Sequence, residues 1–398
     1  MNCSPIWSSI PICSDSEDLI STSCRCRKSV GTNYQGDSSN RKVRTRNLIW
    51  VVIIILTCVS STGAQTLEAR SDPQSLPPIH HLPDGTFRNN HYPAIDKPGS
   101  DLLKWWWNRE KPESVSFPLE NNDPQFLRKN RLVPTITWIG HATLLIQYDG
   151  LNILTDPHFS ERASPFKFVG PRRFTPPGLA LTNLPQIDLV VVSHNHYDHL
   201  DEGTIKQLYS RQADQPPRFF VPLRQKKWFD DLGIPNVVEL DWGENTDYKG
   251  WRIHAIPTQH WSGRSLWDRN KVLWAGWVLE HPSFSFLFAG DTGYSPDFAK
   301  IGKRFGPIDL AAIPIGAYEP RWFMSPSHVN PEEAVKIHLD IRARYSVGIH
   351  WGTFQITDEP MDEPPVRLKQ ALKTFDIPQD RFFVMQHGET RSLNFIEN

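Results

Sequence analysis

The run His194-Asn195-His196-Tyr197-Asp198-His199 places four metal-capable side chains within six residues. Imidazole nitrogens and carboxylate oxygens set this densely are ligands for divalent cations, His giving neutral nitrogen and Asp giving compensating charge. The alternation puts His194 and His196 on one side of an extended segment. Asp198 and His199 follow at a turn and can face a second ion. The pattern points to hydrolysis at a two-metal centre.

Two ions a few ångströms apart need about seven ligands plus a bridging water or hydroxide. Three further candidates stand where strands give way to loops: His260 in Pro257-Thr258-Gln259-His260-Trp261, Asp291 in Ala289-Gly290-Asp291-Thr292-Gly293, and His350 in Gly348-Ile349-His350-Trp351-Gly352. Strand-to-loop switches are where α/β folds carry function. The assignment is His194, His196 and His260 to one ion and Asp198, His199 and His350 to the other, with Asp291 bridging. The bridging water is then acidified toward neutral pH and serves as nucleophile.

Other residues sit near this constellation. Asp156, before Pro157, either holds a ligand imidazole from behind or is a simple turn residue. His141, after Gly140, is expected beside the ligands or the substrate, or as a satisfied core histidine. His328 could meet phosphate or protonate a leaving alkoxide, which makes Asp198, Asp291 and His328 the expected catalytic groups. Arg321 could grip phosphate with two hydrogen bonds or form a structural ion pair. Tyr197 is read as packing. His80, His81, His91, His158, His254, His281, His338 and His387 show no ligand context and are read as structural.

These residues need rigid elements behind them. Thr135 to Tyr148 reads as a strand broken at Gly140, and Asp149-Gly150 as a hairpin turn into a strand from Leu151 to Thr155. Leu189 to Ser193, Arg252 to Ile256, Trp274 to Leu279, Phe284 to Phe288 and Ser346 to Ile349 read as further strands. Helical patterns run from Glu202 to Tyr209 and from Pro331 to Ile341, the second capped by Asn330 with Pro331 in its first position. Alternating strands and helices predict a layered α/β architecture.

The chain has 398 residues, 39% of them hydrophobic, with 15 Trp, 34 Pro and a net charge of −1. Lacking a basic excess, it is not expected to bind nucleic acid. All five cysteines lie within the first 58 residues, so no thiolate is available to the metal site. Residues 1–47 read as a disordered leader with a basic end. The apolar run from Leu48 to Val59 fits a secretory signal or a membrane anchor over 48–64. Residues 65–130 read as an irregular arm containing Trp105-Trp106-Trp107, and 131–398 as the catalytic domain.

The later motifs narrow the reading further. Thr137-Trp138-Ile139-Gly140-His141-Ala142-Thr143, Ser193 to Asp201, Ala289 to Tyr294, Gly316-Ala317-Tyr318-Glu319-Pro320-Arg321-Trp322-Phe323-Met324 and Ile349 to Phe354 resemble the N-acyl phosphatidylethanolamine-hydrolysing phospholipases D of the metallo-β-lactamase superfamily. The resemblance runs from about residue 100 to the C-terminus and leaves out the leader. It implies a four-layer αββα sandwich with two zinc ions at the edge of its sheets, a bridging hydroxide attacking phosphorus, and release of N-acylethanolamine and phosphatidic acid. Expected partners are a phospholipid substrate and a membrane surface, with a homodimer left open. Trp105 to Trp107, Trp261, Trp322 and Phe323 are the candidates for lipid contact. The competing readings are a lactone or thioester hydrolase of the same fold, and a lipid-binding sensor.

Overall fold

The computed structural model describes residues 78–92, 99–109, 112–113 and 115–393. The leader 1–47, the segment 48–64 and the first part of the arm lie outside the described residues. Among the described residues, no helix is long and apolar enough to cross a membrane.

Two seven-stranded sheets carry the site. The first is built from β1 (Thr135–Gly140), β2 (Thr143–Tyr148), β3 (Leu151–Thr155), β4 (Leu189–Val191), β5 (Arg218–Pro222) and β6 (Val237–Leu240). The second takes β7 (Asn245–Tyr248), β8 (Trp251–Ile256), β9 (Gly276–His281), β10 (Phe284–Phe288), β11 (Leu310–Pro314), β12 (Tyr345–Ile349) and β13 (Phe382–Phe383). A last strand, β14 (Thr390–Ser392), returns to pair with β1. The orders are β14-β1-β2-β3-β4-β5-β6 and β13-β12-β11-β10-β9-β8-β7. Each sheet begins as an antiparallel meander and continues as parallel strands joined by longer crossovers, as parallel pairing requires.

The turns explain the meanders. Asp149 and Gly150 both take positive φ (46° and 76°), and Lys249 and Gly250 do the same (48° and 84°). Two successive left-handed residues make the hairpin turn whose twist matches the strands it joins.

Eight α-helices are described: α1 (Gly99–Asn108), α2 (Pro124–Lys129), α3 (Glu202–Arg211), α4 (Lys226–Asp231), α5 (Asp297–Phe305), α6 (Arg321–Met324), α7 (Pro331–Asp340) and α8 (Glu363–Thr374). Side chains alternate across the sheets. Leu189 and Val191 join the core between the sheets, while Val190 and Val192 join Ile205, Leu208 and Phe229 under α3 and α4. Phe298, Val335 and Ile337 of α5 and α7 pack on the second sheet. Both sheets are thus covered on both faces, giving the αββα sandwich. Trp277 of β9 donates its indole N–H to the Val192 carbonyl at 2.9 Å, tying one sheet to the other directly below the metal-binding run.

Two expectations need correction. The arm is not irregular throughout, because it contains α1 and α2. Asp123 caps α2 by accepting from the Gln125 and Phe126 amides, with Pro124 in the first helical position. The strand expected from Trp274 begins at Gly276 instead. Trp274 and Ala275 are drawn off the ladder, Trp274 donating its indole N–H to the Thr258 carbonyl and Ala275 its amide to the Ser193 carbonyl.

Candidate metal centre

Beyond β4 the chain turns tightly, with the His199 and Leu200 amides both donating to the His196 carbonyl. Asp201 then caps α3 through the Gly203 amide. This short fold-back presents all four metal-capable side chains of the run to one place. Gly290 lets the Asp291 loop pass close by. Its φ is +61°, and a Cβ there would lie 2.5 Å from the Ser193 Cβ, so only glycine fits.

The seven expected ligands converge in two groups. His194 Nε2 lies 2.7 Å from His196 Nδ1, which lies 3.3 Å from His260 Nε2. His199 Nε2 and His350 Nε2 are 3.1 Å apart, and each is 3.5 Å from Asp198 Oδ2. Asp291 stands between the groups. Its Oδ2 is 3.1 Å from His199 Nε2, 3.8 Å from His260 Nε2 and 4.0 Å from His194 Nε2, while its Oδ1 is 3.1 Å from His350 Nε2.

The residues behind the ligands fix their tautomers. Asp156, fully buried, accepts the Ser193 amide on Oδ1 at 2.7 Å and His199 Nδ1–H on Oδ2 at 2.7 Å. The Ser193 hydroxyl also donates to Asp156, leaving its oxygen to accept from His194 Nδ1–H at 2.9 Å. His260 Nδ1–H donates to the Ser327 carbonyl at 2.9 Å. In each case the Nδ1 proton is held outward and Nε2 faces inward, the atom a metal ligand must offer.

These inward atoms fit divalent cations. Imidazole lone pairs facing each other at about 3 Å repel unless a cation or proton lies between them. Asp291 Oδ1, buried, is left without a well-formed hydrogen bond among the described residues. Burial brings His196 and His260 down to about 3 and holds His194 well below its ordinary value, so all three are neutral donors. Burial favours the protonated forms of Asp198 and Asp291, yet the surrounding imidazoles outweigh it and hold both carboxyls well below the usual range.

The neighbouring residues fall into place around this centre. His141 Nε2 is 3.1 Å from Asp198 Oδ2, and its ring centroid is 4.0 Å from that of His350. His141, Asp156 and His350 all take positive φ (54°, 31° and 64°), the backbone strain that collects at functional sites. His328 Nδ1 is 3.9 Å from Asp291 Oδ2. Arg321 is engaged by its neighbours. It pairs with Glu333 at 2.7 Å and donates to the His328 carbonyl at 2.8 Å, so it is the ion-paired alternative that the structure shows. Tyr197 packs under the Arg264 guanidinium at 4.0 Å.

Several supporting residues carry no signal in the sequence. Asn89, on the arm, brackets His260 by accepting its amide at 3.1 Å and donating to its carbonyl at 3.0 Å. Ser193 and Ser327 orient ligand imidazoles, and Trp261, read from the sequence only as a lipid-contact candidate, places its ring 4.2 Å from His196. His80 and His81, expected to lack ligand context, bring their Nε2 atoms to the two oxygens of Asp241 at 2.6 and 2.7 Å. Those are hydrogen-bond lengths to separate oxygens, so two N–H donors share one carboxylate and pin the arm to the end of β6. Of the expected lipid contacts, Trp105 stacks on Phe323 and donates to Asp358, and only Trp107 and Trp322 are exposed. The side chain of Trp106 lies outside the described residues.

Known proteins place the chain in a family. The family described as beta-lactamase superfamily domain matches residues 151–351. A Caenorhabditis elegans protein named N-acyl-phosphatidylethanolamine-hydrolyzing phospholipase D 1 is 45% identical over 259 residues, covering 62% of this chain and 72% of its own. A Saccharomyces cerevisiae protein named N-acyl-phosphatidylethanolamine-hydrolyzing phospholipase D, mitochondrial, is 41% identical over 265 residues, 65% of this chain and 56% of its own. The solved structure of an isothiocyanate hydrolase from Delia radicum gut bacteria shares the fold with a TM-score of 0.50 at 21% identity, covering 65% of this chain and 98% of its own. The chain belongs to the β-lactamase superfamily and, within it, to the hydrolase family of N-acyl-phosphatidylethanolamine-hydrolysing phospholipases D.

Proposed function

We propose that this chain is a zinc-dependent phosphodiesterase that hydrolyses N-acyl phosphatidylethanolamine at a membrane surface to N-acylethanolamine and phosphatidic acid. The observation that carries the substrate is the 45% identity to the nematode protein of that name. The seven convergent donors support the metal requirement: His194, His196 and His260 would hold one ion and Asp198, His199 and His350 a second, with Asp291 near both groups. Two zinc ions there would supply charge to neutralise a phosphodiester anion and would acidify a water toward neutral pH.

The chain's own groups then have defined tasks. Asp198 is the more exposed of the two ligand carboxylates, at 15% against 2% for Asp291, so it is placed to take the proton of the attacking water. His141 at 3.1 Å holds that carboxylate in position. His328 borders the Asp291 side of the centre, where its imidazole can give a proton to the departing ethanolamine oxygen. Arg321 acts on His328 only by fixing its carbonyl, which makes it a positioning residue.

The test is a product assay on the zinc-loaded full chain with N-acyl phosphatidylethanolamine in mixed micelles. Phosphatidic acid and N-acylethanolamine in equal amounts are expected. Cleavage of lactones or thioesters in place of this lipid would overturn the substrate, and lipid binding without turnover of any ester would favour the sensor reading.

A further inference from the structure

Five of the large apolar side chains left in solvent sit on two loops beside the metal centre. Phe166, Phe168 and Val169 are exposed on loop 163–170, Phe168 by 82%, and Leu266 and Trp267 are 90% and 81% exposed on loop 264–269. Neither loop is slack. Arg162 staples the first, donating to the Lys167 carbonyl at 3.1 Å and the Gly170 carbonyl at 2.7 Å. Below it, the Ala163 amide donates to Pro171 and the Arg173 amide to Glu161. In the second loop, Asp268 accepts the Arg264 and Ser265 amides, and the Trp267 amide donates to Ser265 Oγ. The apolar tips are therefore held out into water by their own hydrogen bonds.

The second loop is fastened to the metal-binding run. Arg264 donates to the carbonyls of Asn195 and Leu200, at 2.9 and 2.8 Å. The Arg269 guanidinium lies 4.4 Å over Trp261, whose ring is 4.2 Å from His196. A cavity of about 670 Å³ lies between the loops, walled by Phe166, Lys167, Tyr197, Trp228 and Arg264. The exposed charges on and around the loops are Lys167, Arg172, Arg269 and Lys271, against Glu161, which pairs with Arg172 at 3.4 Å, and Glu202 on the cavity wall. The chain as a whole carries −1, so this excess is local. Apolar tips ringed by lysine and arginine are the composition that enters the interface of an anionic bilayer.

We infer that loops 163–170 and 264–269 are a two-pronged docking surface for an anionic phospholipid bilayer, which seats the cavity between them on the membrane. This deepens the lipid-substrate reading and rests on it for its purpose, though not for its evidence. Trp107 and Trp322, the exposed tryptophans that the sequence suggested, are not part of it.

The test follows amide hydrogen exchange of the zinc-loaded full chain with and without vesicles of phosphatidylcholine and phosphatidylserine. Protection of both loops is expected. Vesicles that protect only other segments would overturn the surface. A second arm uses the variant Phe168→Asp with Trp267→Asp, and Val366→Glu on α8 as an exposed apolar control. Losing burial of an aromatic ring corresponds to about tenfold to a hundredfold weaker partitioning. Turnover of vesicle-borne substrate should fall by at least that factor in the double variant, which loses two rings, while turnover of a soluble short-chain phosphodiester and both activities of the control are unchanged. Undiminished vesicle turnover in the double variant would also overturn the surface. Protected loops without turnover of any lipid would leave the surface standing and remove the substrate reading instead.

Discussion

Replacing Asp156 by Asn tests how firmly the metal centre depends on what stands behind it. The carboxylate takes three donors: the Ser193 amide at 2.7 Å on one oxygen, and the Ser193 hydroxyl and His199 Nδ1–H on the other. Asn offers one acceptor oxygen and one NH₂. If the NH₂ faces the Ser193 amide, two buried donors confront each other. If it faces His199 Nδ1, the imidazole must accept there and carry its proton on Nε2, the atom 3.1 Å from both Asp291 and His350. Either arrangement weakens the second metal position. Loss of such an outer partner costs about 10- to 100-fold in metal affinity or activity, or about 1.4–2.8 kcal/mol. The metal-free fold should also lose about 1.5–3 kcal/mol, the value of a buried hydrogen bond to a charged group. Competition against a chelator of known affinity measures the first effect and urea unfolding of the metal-free protein the second. Wild-type zinc affinity in Asp156→Asn would refute the idea that this carboxylate sets the His199 tautomer.

The remaining predictions concern the centre itself. His196→Ala and Asp291→Asn should each abolish turnover while circular dichroism stays that of the folded protein, and wild-type turnover in either would overturn the site assignment. Exhaustive chelation should inactivate the enzyme and added zinc restore it; indifference to chelation would remove metal from the chemistry. Gly316→Ala should impair metal binding although residue 316 is no ligand, because its Cβ would come within 2.3 Å of the His350 carbonyl oxygen and displace a ligand's backbone. Unchanged zinc affinity in that variant would mean the loop can move aside without shifting His350.

Features encoded locally are the ones legible in the sequence. The metal-binding run declares itself by residue type and spacing. Asn330 shows its cap by Pro331 and Glu333, and the structure forms the full reciprocal capping box there. Asp149-Gly150 is a familiar hairpin signal, yet Lys249-Gly250 makes the same turn without one, because lysine seldom accepts positive φ and β7 is too short and polar to stand out. Strands β5, β6 and β11 escape sequence reading for another reason: β5 and β11 end in Pro222 and Pro314, and Pro235 stands just before β6, and proline in or beside a run argues against a strand. What supports the site is least legible. Asn89 reaches His260 across 171 positions, a partnership that no local pattern encodes. Arg321 shows the same limit from the other side: its sequence context allows either a phosphate or an ion pair, and only the approach of Glu333 at 2.7 Å decides between them.

Cleavage of the phosphorus–oxygen bond, with water's oxygen ending on phosphorus, is tested most directly by turnover of N-acyl phosphatidylethanolamine in water enriched in heavy oxygen, with mass analysis of both products. One labelled oxygen in phosphatidic acid and none in N-acylethanolamine is the expected result. Label in the N-acylethanolamine would place the broken bond at carbon rather than phosphorus and contradict the proposed chemistry.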